Sequence, residues 1–410
     1  MKAELRLKDL GIFKTGLTYS PDNLCEPNEG VLVLRSANIQ DDKIDLNDCA
    51  YVNYKIASNM YVRKGDILIC SRNGSANLVG KTAVIEENMN ATWGAFMMLL
   101  RTKYNSNYIN YLLNATIRKE KGRFATSTIN QLTNSMLGGI HVDIFTEKVE
   151  QQRIVDYLDE KTSAIDTRIE LLEKKKDAYT RLKKAMINRA VTRGLDEHVK
   201  LKDSGVEWIG MIPEHWEIKR IKELCSFVSR GATPNYDDDG EYKVMNQAVF
   251  STGKLNHKVV RYSSYMKAES HIKKGDLLIA STGGGILGKL YFFDDEDKGF
   301  FADTHVTVVR SDKGSFYVKF LFYLLSYQFD MINTCMAKGS TNQTELQRDS
   351  LLSYELAIPS LEEQQAIIAF LDEKCAKIDA AIANIDKQTD ALKRLKRSLI
   401  NEVITGQRAV

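Results

Sequence analysis

Two stretches of this chain come close to the spacing of phosphate-binding loops, and neither completes the chemistry. Residues 74–82 read GSANLVGKT, with five residues between Gly74 and Gly80 where a P-loop has four. The extra residue spoils the cradle of backbone amides. Residues 283–288, GGGILG, fit the GxGxxG pattern that wraps a dinucleotide pyrophosphate. The corresponding residues 73–80 keep only the last glycine of that pattern, and Leu290 stands where a magnesium-binding hydroxyl would be needed. Common to both stretches is a polar loop closing on a lysine: Ser71, Arg72, Asn73, Ser75 and Lys81 in one, Ser281, Thr282, Gly283, Gly284 and Lys289 in the other. Loop amides and a lysine suit phosphate contact, while Arg72 and Asn73 carry the hydrogen-bonding forks that read guanine and adenine edges. A solvated hairpin loop is the plainer alternative.

Two further pairs of segments have the same character. RSAN, with Arg35, Ser36 and Asn38, stands against MNQA, with Asn246 and Gln247. GRFATSTINQ, with Arg123, Ser127, Thr128 and Asn130, stands against AKGSTNQT, with Lys338, Ser340, Thr341, Asn342 and Gln343. Such side chains read DNA base edges and phosphates. They differ between the copies, as two readers of different sequences require.

Catalytic constellations are missing from the sequence. The six histidines form no motif. The six cysteines are scattered without a CxxC, which reads as reduced thiols and no metal site. With five prolines and no Pro-Pro pair, the Asn/Asp-Pro-Pro-aromatic signature of amino-group DNA methyltransferases is excluded. The formal net charge of +3 leaves any nucleic-acid contact to local patches. Hydrophobic content of 43% and charged content of 27% over 410 residues fit two or three globular domains. The N-terminal MKAELRLKDL lacks the apolar core of a signal peptide, and no run approaches a membrane span, so a cytoplasmic location is expected.

The candidate loops need elements to hold them, and the chain supplies those twice. Residues 150–192 and 363–405 align without a gap at an offset of 213, from Glu150 to Glu363, opening EQQRIVDYLDEK and EQQAIIAFLDEK. Each copy reads as one long helix, with no proline and an apolar residue every seventh position. One row is Leu158, Ile165, Leu172, Tyr179 and Met186, matched by Leu371, Ile378, Ile385, Leu392 and Leu399; a second beside it is Ile154, Ile169 and Leu182, matched by Ile367, Ile382 and Leu395. Two such stripes bury each other most simply as a coiled coil. Acidic first halves and basic second halves favour antiparallel packing, giving a rod on the order of 65 Å long.

The segments before the helices are also related. VRKGDILICSRNG (62–74) matches IKKGDLLIASTGG (272–284), a turn followed by a buried strand in each. Further strands are expected at 31–34, 83–85, 96–100, 289–293 and 304–309, and helices at 108–117 and 317–331. The expected fold is α+β: two pseudo-symmetric α+β domains separated by an antiparallel two-helix coiled coil. The divisions are a domain at 1–146, a helix at 147–194, a strap at 195–217, a second domain at 218–359 and a second helix at 360–406. Trp208, Ile209, Ile212 and Trp216 make the strap too apolar for a free linker.

The paired EQQ-x-I-x3-LDEK helix starts, the strap SGVEWIGMIPEHWEIK (204–219) and the KGD-strand pairs resemble the DNA-specificity subunits of type I restriction-modification systems. That resemblance covers essentially the whole chain. It implies a non-catalytic subunit whose two domains each read half of a split double-stranded DNA site. It also implies separate modification subunits, two of them, that bind S-adenosylmethionine and methylate adenine, and a nuclease-translocase subunit that can join; no cofactor is expected in this chain. Many members carry a strap copy before the first domain, whereas this chain starts almost at RLKDL. Two rivals stand beside this reading: a coiled-coil protein-protein adaptor without DNA readout, and a nucleotide-using enzyme built on the glycine loops.

Overall fold

The computed structural model describes residues 2–75, 78–124, 131–283, 285–297, 299–328, 332, 336–339 and 344–410, with 121–124 as backbone alone. It falls into two compact units, Met1–Glu173 with Asp386–Val410, and Lys174–Ile385.

Each unit contains the same pair of four-stranded sheets. In the first unit one sheet runs Gly11–Thr15, Met97–Thr102, Ile67–Cys70, Thr82–Val84, antiparallel throughout. The other runs Ala91–Trp93, Val31–Leu34, Ala50–Val52, Leu24–Cys25, its first pair parallel. The second unit repeats this with Phe227–Arg230, Val306–Arg310, Leu277–Ala280, Leu290–Phe292 in one sheet. Its other sheet is Phe300–Ala302, Tyr242–Met245, Arg261–Tyr265, Asn235–Tyr236, again with the first pair parallel. A short ladder closes each domain onto its long helix: Lys2–Arg6 with His141–Phe145, and Glu217–Arg220 with Glu355–Ile358.

The glycine and the aspartate of the repeated KGD turn each have a physical reason. Gly65 and Gly275 take φ of 87° and 92°, which a side chain would strain. Asp66 and Asp276 are buried and accept two hydrogen bonds from one arginine each. Arg101 donates from Nε and Nη2 at 2.7 and 2.6 Å, and Arg310 does so at 2.7 and 2.6 Å. The strand that follows, ILIC or LLIA, is buried at all four positions, so it carries a continuous apolar run with no alternation.

Expected elements at 96–100 and 304–309 begin later than the apolar pattern suggested, at Met97 and Val306. Phe96 is left on the preceding turn with 59% of its surface exposed. The strand at 289–293 is shorter, Leu290–Phe292. The helix expected at 108–117 extends over Ser106–Phe124. That at 317–331 spans Val318–Tyr327, and 329–331 lie outside the described residues.

The long helices are Lys148–Arg193 and Leu361–Ile404. Their opening motif docks each helix on its own domain. Gln151 and Gln364 are fully buried and bridge backbone groups: Gln151 accepts from Asn105 N and donates to Phe145 O, while Gln364 accepts from Tyr317 N and donates to Pro359 O. The LDEK aspartates accept from tyrosine hydroxyls, Tyr111 to Asp159 at 2.7 Å and Tyr323 to Asp372 at 2.5 Å. Burial pushes both hydroxyls up from the usual tyrosine range, so each remains a proton donor.

Within each unit the first half of one helix runs against the second half of the other. Ile154, Val155 and Leu158 share a core with Leu399, Ile400 and Val403, and Ile187, Ala190 and Val191 share one with Ile367, Leu371 and Cys375. Opposite charges meet across the pair, Lys396 with Asp166 at 2.6 Å and Lys183 with Asp379 at 2.7 Å. This is the antiparallel arrangement that the charge halves favoured. The seam row of Leu158, Ile165, Leu172 and Tyr179 is buried or half-buried, as is that of Leu371, Ile378, Ile385 and Leu392. Leu182 and Leu395 are corrections. Both are 54% exposed, because the second seam row steps by seven through Thr162, Ile169, Lys176, Lys183 and Ala190, and Leu182 falls one residue out of phase. The lysine after each leucine takes its place in the seam and reaches the aspartate of the partner helix.

These two pairs are partly exposed, so each is worth about 0.5–1 kcal/mol. Asp379→Lys is expected to lower stability by that amount, and Lys183→Asp/Asp379→Lys to recover most of it. A double-mutant cycle by urea unfolding measures the coupling; no recovery in the double variant removes the pair from the helices' orientation.

The strap packs on the second unit. Leu201–Asp203 pairs with Met211–Pro213, Ile212 is buried, and Trp208 stacks on Tyr354 at 6.0 Å between ring centroids. Trp216 is fully buried.

Candidate nucleic-acid interface

Both glycine-rich loops are hairpins. Gly80 N donates to Cys70 O and Cys70 N to Lys81 O, each at 2.8 Å. In the other copy Gly288 N donates to Ala280 O at 2.8 Å and Ala280 N to Lys289 O at 2.9 Å. Each loop returns into the neighbouring antiparallel strand and opens no helix, so neither supplies the helix N-terminus of a nucleotide site. Burial pushes the Cys70 thiol up to about 11, which keeps this strand end free of a thiolate.

What the structure brings together is the three polar segments of each domain. In the first, Asn73 Nδ2 donates to Ser36 Oγ at 3.1 Å, joining the loops at 71–75 and 35–38. Arg72 forms a bridge with Gln131 and donates from Nη2 to Gln131 Oε1 at 2.7 Å, while Leu132 N donates to Ser71 O at 2.7 Å. In the second, Gln247 Nε2 lies 3.8 Å from the point a Cβ on Gly283 would occupy. Thr282 bridges Glu345, Gly283 N donates to Thr344 O at 3.0 Å, and Leu346 N donates to Ser281 O at 2.9 Å. The backbone junction is the same in both domains.

Individual side chains fall into three groups. Ser75, Lys289 and Lys338 are exposed. Arg35, Ser36, Arg72, Asn73, Lys81, Asn246, Gln247, Thr282 and Gly283 are half-buried at the junction. Among these, Arg35 donates to Asp48 at 2.9 Å, Lys81 Nζ reaches Ile39 O at 3.3 Å, and Asn246 Oδ1 accepts from Ala248 N at 2.9 Å to cap a short helix. Asn38 is a correction: it is fully buried, accepting from Arg35 N and donating to Asp45 O and Asp48 O, so its amide closes a loop and has no face for a base. Ser127, Thr128, Asn130, Ser340, Thr341, Asn342, Gln343 and the side chain of Arg123 lie outside the described residues.

The sequence reading missed Phe96, its counterpart His305, and Glu345 just past the third segment; Gln131 ends the segment it named, without being singled out. Phe96 O accepts from Ser71 N, Arg72 N and Ser71 Oγ, and His305 O accepts from Ser281 N. The Arg72 guanidinium lies over the Phe96 ring at 5.5 Å from its centroid. His305 Nδ1 is 2.7 Å from Thr282 Oγ1. Beneath it Asp303 accepts from His305 N at 2.9 Å, and burial pushes that carboxyl up from the usual carboxylate range. Glu345 is held by Arg230 Nη1 and Nη2, both at 3.2 Å, so an arginine sits on the third segment in each domain but arrives from a different strand. Aligning the two domain copies at Trp93-Gly94-Ala95-Phe96 and Ala302-Asp303-Thr304-His305 would have drawn attention to the pair.

Residues 213–393 match the family model described as the type I restriction modification DNA specificity domain. The chain is 26% identical to a putative type I restriction enzyme MjaX specificity subunit of Methanocaldococcus jannaschii, over 98% of this chain and 92% of that one. Its fold is similar to a chain of a structure solved for complex assembly and conformational transition of the type I R-M system, with a TM-score of 0.76, 15% identity and coverage of 99% of this chain and 98% of that one. The HsdS subunit of Thermoanaerobacter tengcongensis gives a TM-score of 0.51 at 15% identity, covering 99% and 97%. Over nearly its whole length the chain is thus similar to type I restriction enzyme specificity subunits. No helix among the described residues is long and apolar enough to cross a membrane.

Proposed function

We propose, with that similarity as the premise, that this chain reads a split double-stranded DNA site and directs adenine-methyltransferase subunits to it. Residues 1–146 and 218–359 are the two readers, and the paired helices set the spacing between the half-sites. Two modification subunits supply the S-adenosylmethionine chemistry in the cytoplasm, and a nuclease-translocase subunit can join them. The observation that carries the reading is the repeated three-segment junction: one backbone arrangement, built twice, bearing different polar side chains. A protein-protein adaptor has no need to vary hydrogen-bonding side chains over a shared frame.

Exchange of residues 1–146 for the matching domain of another specificity subunit tests it. Mapping methylated adenines in cells that express the exchanged chain with its partners is expected to show one half-site changed and the other kept. Change in both halves, or in neither, sinks the modular reading. Specific binding should also weaken with salt, log K falling about 0.9 per phosphate contact against log salt concentration. Absence of specific binding at every salt concentration favours the adaptor.

A further inference from the structure

We infer that the side chain on the turn before the Met97–Thr102 and Val306–Arg310 strands, Phe96 in one domain and His305 in the other, acts with Arg72 or Thr282 to make the two domains read different bases. The inference rests on the proposed DNA readout and assigns its discriminating pair. The backbone at this position is fixed in both copies. Three donors converge on Phe96 O at 2.9–3.1 Å, and Ser281 N holds His305 O at 2.8 Å. Both side chains are nonetheless exposed, Phe96 by 59%. A large ring left in water beside a junction of polar loops is costly, at roughly 25 cal/mol for each Å² kept exposed. A fixed backbone with an exposed side chain is what a reader position needs.

The two pairs offer different chemistry. In the first domain the Arg72 guanidinium lies over the Phe96 ring, 5.5 Å from its centroid, and is tethered through Nη2 to Gln131, which restricts it before any partner arrives. A planar donor fork of that kind recognises the paired acceptors of a guanine, O6 and N7, and the ring beside it gives an apolar contact for a thymine methyl. Two cavities, of about 560 and 460 Å³, are both lined by Phe96. In the second domain the position of Arg72 is taken by Thr282, whose hydroxyl is no fork. His305 engages Thr282 through Nδ1 and presents the Nε2 edge, a single donor or acceptor, while Arg230 is drawn away onto Glu345. The first domain is therefore suited to a guanine-containing step at this position, and the second is not.

The test uses the complete methylating complex, with this chain carrying Arg72→Thr/Phe96→His, and a second variant with Phe96→His alone. Domain exchange first assigns each half-site to its domain, and genome-wide mapping of methylated adenines then reads the preference. The double variant is expected to lose guanine preference at one position of the first domain's half-site, a roughly 10–100-fold fall in discrimination, with the other half-site intact. Phe96→His should weaken preference at the same position by less. Competition binding with duplexes substituted at that one base checks the shift independently of turnover. An unchanged preference in both variants overturns the inference while leaving the two-reader proposal standing. Uniform weakening across all sites also overturns it, by making the pair a general DNA contact. A wild-type complex that marks no split site removes the readout itself and the inference with it.

Discussion

Asp276→Ala is expected to cost the second domain about 3–5 kcal/mol, because it leaves the Arg310 guanidinium buried and unpaired. Arg310 has lost 87% of its side-chain exposure, being 13% exposed, and Asp276 is 1% exposed. The carboxylate also accepts from Lys273 N at 2.7 Å, so its removal breaks the turn as well as the ion pair. The turn in question launches the Leu277–Ala280 strand, the central strand that leads into the candidate loop. Asp66→Ala should act alike on the first domain through Arg101, with a somewhat smaller loss because that arginine is 23% exposed. Two domains do not unfold as one two-state system, so hydrogen exchange resolved by domain is the proper measurement. Each variant is expected to expose its own sheet and spare the other. A double variant, Asp276→Leu/Arg310→Met, should be less damaged than Asp276→Ala, since no charge is then left without a partner. A double variant worse than the single one would show that the arginine holds the strand through other contacts, such as its bond from Nη2 to His271 O at 2.9 Å.

The duplication made these elements legible before any coordinates. The Gly-Asp pair and the first glutamine of EQQ recur at positions with the same task in both copies: a positive φ, two bonds from one arginine, and a bridge between backbone groups. The seam was legible only in one row. Ile169 and Leu182 are thirteen residues apart, and treating both as one stripe overlooked the Lys183 that keeps the seven-residue step. Hydrophobicity alone favours the leucine, whereas the charge on Asp379 of the partner helix favours the lysine, and that aspartate lies far away in sequence. Asn38 illustrates a different limit. A polar tetrapeptide looks the same whether its amide faces solvent or satisfies three backbone groups, and burial is a tertiary property. Phe96 was hidden for the opposite reason: an aromatic residue next to an apolar run reads as strand, and only the structure places it on the turn outside the sheet.

Trp216→Ala is expected to destabilise the second unit by about 3–5 kcal/mol, the usual range for removing a large buried ring. The indole is fully buried in a core shared by the end of the first long helix, through Ile187, Ala190 and Val191, and the start of the second, through Ile367 and Leu371. It packs edge-on to Phe320 at 6.3 Å, and its Nε1 donates to Glu363 Oε2 at 3.2 Å. His215 Nε2 lies 2.8 Å from the same oxygen, so Glu363 keeps one partner if the indole is lost. Gly194, at φ 74°, ends the first helix against this carboxylate, and a Cβ there would come within 2.7 Å of Glu363 Oε1. The strap is thereby the clamp that holds two helix ends together. Trp216→Phe removes the donated hydrogen bond and the part of the indole that a phenyl ring does not fill, so its loss should be about 1–2 kcal/mol. Thermal unfolding of the two variants separates the contributions. A phenylalanine variant as unstable as the alanine one would place the clamp in the bond to Glu363, and Glu363→Gln should then reproduce the same loss.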